Sequence, residues 1–282
     1  MRINTNIASL NAQEAATNTN NNLRNSLEKL SSGLKINKAS DDASGLAIAD
    51  KLRTQASSIK QAISNGNSAV SLIQIADKAM GEQSNILDVV KQKLIQAATA
   101  TTSVEGRKAI GKDIDKLLTQ LNEVANQTNY NGISLLQGAS AGEVSEKLTF
   151  QMGEKASNTA ELNGAVRSNA SGLSLDTLKA SAIGGFTDAS AARGYMDDID
   201  SALNQLNVWR SDFGSTQNQI ESGIRNMMTQ VTNIKAAESV IRDVYYAQES
   251  ANFNKQNIIA QAGTYAQSQA NQVQQNVLKL LQ

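Results

Sequence analysis

Residues 196–241 decide the fold of this chain, and they read MDDIDSALNQLNVWRSDFGSTQNQIESGIRNMMTQVTNIKAAESVI. Apolar residues recur along this stretch at alternating spacings of three and four, which is the pattern of a coiled-coil seam. The members of the seam are Met196, Ile199, Leu203, Leu206, Phe213, Ile220, Ile224, Met227, Val231, Ile234 and Ile241. Because an α-helix rises about 1.5 Å per residue, the pattern predicts a long rod rather than one element of a compact ball.

Two further seams precede this one and can cover it. One contains Ile59, Ile63, Gly66, Val70, Ile73, Met80, Leu87 and Leu94, and the other contains Ile110, Ile114, Leu117, Leu121 and Val124. The shorter seam starts at a capping box, Thr102–Glu105, and stops before the turn signal Asn131-Gly132. We therefore predict a mainly α fold, a long antiparallel helical bundle over residues 43–242 with a small β-hairpin around 133–152. The Gly- and Ser-rich stretch through Gly185 predicts irregular connection, and Thr187-Asp188 predicts the start of a new helix.

The composition of the chain argues against several classes of function. The chain has no His and no Cys, which removes the commonest general base, the commonest metal ligands and any disulfide framework. Lys and Arg together number 26, and Asp and Glu together also number 26, so the chain has no excess of basic residues of the kind that binds nucleic acid. We predict no enzyme activity, no cofactor and no metal site. Low net charge also favours association between copies.

The two ends of the chain carry thin apolar stripes between uncharged polar residues. At the start the stripe residues are Ile3, Ile7, Leu10, Leu27, Leu30 and Leu34, and at the finish they are Val244, Ile258, Val273, Val277 and Leu280. Such helices are marginal alone, because most helical stability comes from burying a face. We predict that the ends pair with each other and then pack against other copies. An ordinary intramolecular helical hairpin is the alternative that periodicity leaves open.

A polar hinge separates the first end segment from the first bundle helix. It contains Asp41, Asp42 and Gly45, and short acidic side chains of this kind can cap the helix that follows. Elsewhere, the start of the chain shows no secretory signal pattern, and no stretch approaches the roughly 18 apolar residues of a membrane span. By the ordinary rules, the protein would be cytosolic and would not enter a membrane.

Four separated motifs carry a resemblance to a known family. They are MRINTNIASLNAQ at residues 1–13, KLSSGLKINKASDDASGLAIADKLR at 29–53, TNYNGISLLQG at 128–138 and ANQVQQNVLKLL at 270–281. Together and in this order they resemble bacterial flagellin, in a short form without the outer variable domains. The resemblance implies an inner layer made of residues 1–42 and 243–282, in which the terminal helices form a coiled coil, and an outer rod made of residues 43–242.

The same resemblance implies the function and the location of the protein. It implies a structural subunit of the bacterial flagellar filament that is exported unfolded, without a cleaved signal peptide, and assembles at the filament tip to give a motility propeller. The implied partners are other copies of the chain, an export chaperone, and the hook-junction and filament-cap proteins. The implied location is extracellular, which overrides the cytosolic expectation. Two alternatives are a hook–filament junction protein and a generic coiled-coil adaptor.

Two groups of residues concern recognition and modification from outside the cell. Flagellins detected by the animal Toll-like receptor 5 present an arginine, followed four residues later mostly by a leucine, where this chain has Val89 and Lys93; the acidic partner is retained as Asp113. Val89 removes the forked, charge-assisted donor of the arginine, and Lys93 places a hydrated ammonium where an apolar contact is expected, so we predict weak or no activation of that receptor. Neutral drift of the helix surface is the alternative. The serines of the outer connection are candidates for O-glycosylation: Ser168, Ser171, Ser174, Ser181 and Ser190.

Overall fold

The computed structural model describes residues 5–137, 147–162 and 166–280 of the chain. Seven helices and four short strands occupy the described residues. The helices are α1 (Ile7–Ser32), α2 (Ala43–Ala97), α3 (Val104–Gln127), α4 (Asp176–Gly184), α5 (Ala189–Gly194), α6 (Met196–Arg242) and α7 (Tyr246–Leu280). The strands are β1 (Asn129–Tyr130), β2 (Ile133–Ser134), β3 (Leu148–Gln151) and β4 (Thr159–Leu162). The prediction of a mainly α fold with long helices is confirmed.

By its internal contacts the chain divides into two units. The terminal unit consists of Met1–Ala56 and Thr232–Gln282, and the central unit consists of Ser57–Val231. Both dividing points lie inside helices, because α2 and α6 each run from one unit into the other. The layer boundaries predicted at 42/43 and 242/243 do not lie at these dividing points, but at the start of α2 and the end of α6. The division into two layers at 42/43 and 242/243 remains a prediction.

Helix α2 supplies one side of the central core through a regular heptad. Every seventh residue from Ile59 to Leu94 is buried, as the sequence predicts: Ile59, Gly66, Ile73, Met80, Leu87 and Leu94. The positions between them hold buried small residues that the seam of large residues does not reveal: Ala62, Ala69, Ala76 and Ala97. Ile63 and Val70, which the sequence placed in the seam, are only half-buried. Alternation of large and small side chains lets neighbouring helices interdigitate closely.

A buried amide interrupts this seam at Gln83. Its Nε2 donates to the carbonyl oxygen of Leu121 on α3 at 3.2 Å and to that of Ser168 at 3.0 Å. These two hydrogen bonds satisfy the amide nitrogen, whereas Oε1 is buried without a hydrogen-bond partner among the described residues, so the cost of removing the amide from water is offset only in part. Gln83 therefore joins α2, α3 and the segment around Ser168 at one point.

The stretch expected to be irregular connection contains helix α4 and contributes to the core. Leu175, Leu178, Ala182 and Phe186 are buried there. Helix α4 lies so close to α3 that a Cβ on Gly111 would stand 2.7 Å from the carbonyl oxygen of Ala182. This part of the prediction is wrong. Which apolar residues of 166–195 are buried depends on the elements that pack against them, and not on a local repeat in the sequence.

The predicted small hairpin around 133–152 consists of two antiparallel strand pairs with different bounds. Strands β1 and β2 pair across Asn131-Gly132, with Asn129 opposite Ser134 and Tyr130 opposite Ile133. Asn131 and Gly132 both have positive φ, 51° and 81°, as the type I′ turn of a tight hairpin requires. Strands β3 and β4 form the second pair, with Leu148 opposite Leu162 and Gln151 opposite Thr159.

Helix ends follow the capping signals of the sequence. Ser103 caps α3 by accepting from the amide of Gly106 at 3.1 Å, and Asp188 caps α5 by accepting from the amide of Ala189 at 2.6 Å. Helix α1 stops at Gly33, whose φ of 72° is the left-handed conformation that favours glycine. These caps confirm the predicted helix starts near 103 and 188.

Candidate self-assembly surface

Helices α1 and α7 pack along each other, and small or polar side chains make the contact. Thr19 and Ser26 are the buried residues of α1. A Cβ on Gly263 of α7 would lie 3.9 Å from the Cβ of Ala16, which shows how closely the two backbones approach there. Small residues at the contact keep the helices close but bury little apolar area.

Hydrogen bonds join the two helices at both ends of this contact. The Ser26 hydroxyl donates to Oε1 of Glu249 at 2.5 Å, and the Asn6 amide donates to the carbonyl oxygen of Ala270 at 3.1 Å. Ser26 and Glu249 are charge-assisted partners, which is the stronger class of hydrogen bond. Polar contacts therefore help to hold the pair in register, alongside the half-buried apolar side chains of Leu23, Leu30 and Phe253.

The segments that follow α1 and precede α7 pair as a short antiparallel bridge. The Lys35 amide donates to the carbonyl oxygen of Arg242 at 2.6 Å, and the Val244 amide donates to that of Gly33 at 3.0 Å. This bridge brings Leu34 opposite Asp243. Leu34 and Val244, both predicted for assembly, lie half-buried beside it.

The large apolar side chains of the terminal helices remain exposed. Of the predicted residues, Ile7, Leu10 and Leu27 on α1 are 56%, 52% and 55% exposed. On α7, Ile258 and Val273 are 68% and 54% exposed. Leu30 is half-buried. Ile3 and the side chains of Val277 and Leu280 lie outside the described residues.

Three further exposed side chains extend this surface beyond the predicted set. Val240, Tyr245 and Tyr265 are 84%, 75% and 74% exposed. Tyr265 belongs to the apolar ladder of the last helix, so periodicity could have placed it on this surface. Val240 lies near the end of α6 and Tyr245 lies in the break before α7, where no repeating pattern is available to find them. We give the name assembly surface to six of the exposed apolar residues of α1 and α7: Ile7, Leu10, Leu27, Ile258, Tyr265 and Val273.

The hinge acids have separate roles in the structure. Oδ2 of Asp41 accepts from the amides of Asn37 and Lys38, both at 3.0 Å, and these backbone hydrogen bonds, that of Lys38 first, hold the pKa of the Asp41 carboxyl below its ordinary value. Oδ1 of Asp42 accepts from the amides of Ser44 and Gly45, so Asp42 caps α2.

Gly45 and Arg242 complete the packing around the hinge. A Cβ on Gly45 would meet Oδ2 of Asp42 at 2.5 Å and Cδ1 of Ile36 at 2.8 Å, so a side chain there would require Asp42 and Ile36 to shift. Arg242 reaches Oδ1 of Asp50 at 3.6 Å. These contacts tie the start of α2 to the bridge before α7 within the terminal unit.

The residues expected to bear on receptor recognition lie together in the central unit. Nζ of Lys93 on α2 is 3.1 Å from Oδ2 of Asp113 on α3, so the lysine forms an ion pair with the retained acid. Val89 lies beside them, 39% exposed. The three line a shallow groove of about 320 Å³ together with Lys116 and Leu117.

The serines proposed for modification differ in accessibility. Ser171, Ser174 and Ser190 are exposed. Ser181 is half-buried and shares a hydrogen bond with the Tyr195 hydroxyl at 2.6 Å. Ser168 is completely buried, with its hydroxyl 3.5 Å from the Leu136 carbonyl oxygen, so the folded chain does not offer it to a modifying enzyme.

The described residues bring together no group of three or more acidic, His or Cys side chains suited to a metal ion. Within the same ranges, no helix combines the length and apolarity that crossing a bilayer requires. Three further grooves in the described chain are open and mostly polar in their lining.

Comparison with known proteins bears directly on the identity of the chain. Residues 3–141 match the bacterial flagellin N-terminal helical region, and residues 196–281 match the bacterial flagellin C-terminal helical region. The chain is 35% identical over 303 residues to the flagellin of Bacillus subtilis, and 33% identical over 287 residues to the flagellar filament 33 kDa core protein of Treponema phagedenis. Both alignments cover 100% of this chain and 100% of the relative.

Solved structures agree with this assignment. The crystal structure of Bacillus cereus flagellin matches with a TM-score of 0.50 and 27% identity, over 62% of this chain and 94% of that one. A putative flagellar hook-associated protein from Vibrio parahaemolyticus shares the fold, with a TM-score of 0.60 at 11% identity, over 72% of this chain and 99% of that one. The two terminal matches and the full-length relatives show that this chain belongs to the bacterial flagellin family, in a form without outer domains.

Proposed function

We propose that this flagellin polymerises through the assembly surface of α1 and α7, in the manner expected from its sequence. Membership of the family makes the chain a structural subunit of the extracellular flagellar filament and not an enzyme. One observation carries the proposal: the buried residues of α1 are Thr19 and Ser26, whereas large apolar side chains of the paired terminal helices, such as Leu27 and Ile258, are more than half exposed.

Burial of the assembly surface would supply free energy for a contact between copies of the chain. Covering the exposed half of a large aliphatic side chain stabilises a contact by about 1 kcal/mol. Six exposed apolar side chains on one chain, five aliphatic and one tyrosine, repeated on every neighbour, would offset part of the translational and rotational entropy lost when subunits associate. The zero net charge leaves little repulsion between copies to oppose the packing.

Full-length variants of the assembly surface test the proposal. We expect Ile258→Ser combined with Tyr265→Ser to abolish filament formation, measured by sedimentation and electron microscopy, while leaving the circular dichroism of the monomer unchanged. Ile133→Ser, at a position that is 47% exposed in the central unit, is the matched control and should polymerise normally. Filaments of normal length from the double variant would refute the proposal. Deletion of residues 243–282 should likewise leave a chain that forms no filaments.

The route out of the cell is part of the same proposal. A chain with no Pro and no Cys, and with terminal helices that bury few apolar side chains, suits passage through a narrow pore in unfolded form without a cleaved signal peptide. An export chaperone would hold the terminal helices before export, and hook-junction and filament-cap proteins would contact them at the two ends of the filament. Intact mass measurement of secreted protein tests this, because loss of an N-terminal segment beyond the initiator Met would contradict it.

Weak activation of Toll-like receptor 5 is proposed from the groove at Lys93. The ion pair between Lys93 and Asp113 occupies the acid, and Val89 offers no charged donor. We expect Val89→Arg with Lys93→Leu to raise the response of a receptor reporter assay to purified monomer. A full-strength response to the unchanged chain would contradict the proposal.

O-glycosylation is proposed at the exposed serines Ser171, Ser174 and Ser190. Hydroxyls in solvent on the central unit are open to a modifying enzyme, whereas Ser168 is not. Peptide mass spectrometry of native filaments tests this, and unmodified peptides at all three positions would overturn it.

A further inference from the structure

We propose that a groove between α2 and α6 at Gly81 is a second contact between copies of this chain, occupied by the exposed lysine stripe of α3 from a neighbouring copy. The inference rests on the proposed function in that it assumes a polymer, but it concerns a different surface, in the central unit. Three observations carry it: a glycine without an internal reason, the charge of the groove, and the position of a complementary stripe on another side of the same unit.

The first observation is that Gly81 lowers the stability of helix α2, although no contact that the structure describes within one chain requires a glycine at this position. A glycine inside a helix lowers the equilibrium constant for helix formation about fivefold relative to alanine. Gly66, Gly111 and Gly223 each lie against a neighbouring side chain or carbonyl group, which explains the missing Cβ. At Gly81 a Cβ would meet nothing within 4 Å, although the residue lies well inside the 55-residue helix α2. Gly214 of α6 is equally free of neighbours, so the missing Cβ points to an outside contact only together with the groove that Gly81 lines.

The space above Gly81 belongs to an open groove of about 520 Å³ between α2 and α6. Asp77, Gly81, Ser84 and Asp88 follow one face of α2, because spacings of three and four return to the same side of a helix. Asn207 and Arg210 line the opposite wall, and Arg210 donates from Nε to Asp77 at 2.8 Å. The missing side chain deepens the floor of the groove where a long side chain from outside would lie.

The groove retains negative charge after its internal ion pair is formed. Asp77 is neutralised by Arg210, whereas Glu82 and Asp88 make no ion pair with any other residue that the structure describes. One further cation, Lys78, lines the same groove. Two unpaired carboxylates and one unpaired ammonium leave the groove with a formal charge of about −1, which favours a basic partner.

The complementary surface is a stripe on α3 made of Lys108, Lys112 and Lys116. The three lysines are spaced by four, are all exposed, and form no ion pair within the described ranges. Long lysine side chains carry their charge on flexible apolar stems that could lie across Gly81.

The groove and the stripe lie on different sides of α2, so one copy cannot join them to each other. Asp77 of α2 pairs with α6 through Arg210, whereas Lys93 of α2 pairs with α3 through Asp113. Sixteen residues at 100° per residue place these two α2 positions about 160° apart around the helix. A contact between unlike surfaces of identical copies is heterologous, and such contacts propagate into open helical filaments rather than closed dimers.

Gly81→Ala in the full-length chain should affect the stability of the monomer and the formation of the polymer in opposite directions. We expect the melting temperature of the monomer to rise by about 2–4 °C, because alanine favours the helix and meets no neighbour. We expect the critical concentration for polymerisation to rise at least tenfold. Gly214→Ala is the matched control: Gly214 lies inside α6, is also free of neighbours within 4 Å and does not line the groove. It should raise the melting temperature similarly and leave the critical concentration within twofold.

Charge reversal identifies the occupant of the groove. Glu82→Lys with Asp88→Lys, and separately Lys112→Glu with Lys116→Glu, should each raise the critical concentration. The chain with all four substitutions should recover most of the loss, because both surfaces are then reversed together. A quadruple variant no better than the double variants would overturn the assignment of the stripe as occupant.

The failure of this inference is distinguishable from failure of the proposed function. If Gly81→Ala polymerises as the unchanged chain does, or lowers the melting temperature of the monomer, the groove is not a contact between copies. If the variant with Ile258→Ser and Tyr265→Ser polymerises normally, the assembly surface of α1 and α7 is refuted whatever Gly81→Ala does.

Discussion

The terminal and central units differ in whether their large apolar residues are buried or exposed. In the central unit large seam residues, such as Leu87 and Leu121, are completely buried by other parts of the same chain. In the terminal unit, Thr19 and Ser26 occupy the contact between α1 and α7, and Ile258 and Tyr265 face solvent. The difference indicates that one unit is complete as a monomer, and we infer that the other is completed by neighbours.

The largest expected effect comes from truncating a large apolar side chain in the central unit, compared with the same kind of truncation in the terminal unit. Leu87→Ala should lower the free energy of unfolding of the central unit by about 2–5 kcal/mol, because it opens a cavity in a closed core. Trp209, the only tryptophan, packs against that core, so its fluorescence during urea unfolding measures the loss.

Ile258→Ala is the matched substitution in the terminal unit. It should change the stability of the monomer by less than about 0.5 kcal/mol, because the side chain is 68% exposed, and it should still weaken polymerisation. Equal destabilisation of the monomer by both variants would break the comparison between the units.

A smaller effect is expected where the terminal helices touch. Ser26→Ala removes the hydrogen bond to Glu249 and should reduce the stability of the α1–α7 pair by about 1 kcal/mol. Hydrogen exchange of the amides in α7 measures the loss. Ser31→Ala, an exposed position of the same helix, is the control and should leave that exchange unchanged. Unaltered protection in Ser26→Ala would show that the polar contacts do not hold the pair.

The smallest effect concerns the pH dependence of the hinge. The pKa of Asp41 is lowered in the folded chain, so its contribution to stability is present above the ordinary value of 3.8 and is lost as the pH falls through the lowered value. Amide exchange at Asn37 and Lys38 should therefore accelerate below about pH 3.8, beyond the intrinsic change with pH. Asp41→Asn should abolish this acceleration, and an unchanged acceleration in the variant would assign it to another group.

Much of the architecture was predictable from the sequence, because helical seams are a local signal. A period of three and four identified the large buried residues of α2 and α6, from Ile59 to Leu94 and from Ile199 to Met227. Ser103, Asp188 and Asn131-Gly132 marked helix starts and a turn, since a cap or a left-handed turn depends on a few adjacent residues.

Signals that depend on distant partners were not predictable in the same way. Ala62, Ala69 and Ala76 fill half of the α2 seam, but alanine is equally common on helix surfaces, so its burial depends on the helix opposite. Helix α4 and its buried Phe186 lie in a stretch without periodicity, and α3 and the rest of the core decide their position.

By itself, the sequence determined that this chain is a flagellin of long helices with apolar stripes at both ends. Only the tertiary structure decided what each stripe faces: α1 and α7 meet through Thr19 and Ser26, so the stripe of Ile258 stays in solvent, and Gly81 opens onto a groove rather than a neighbour. The physical reason is that periodicity records which face of a helix is apolar. Which surface covers that face depends on how the chain returns upon itself, and for the terminal helices the chain alone does not cover it.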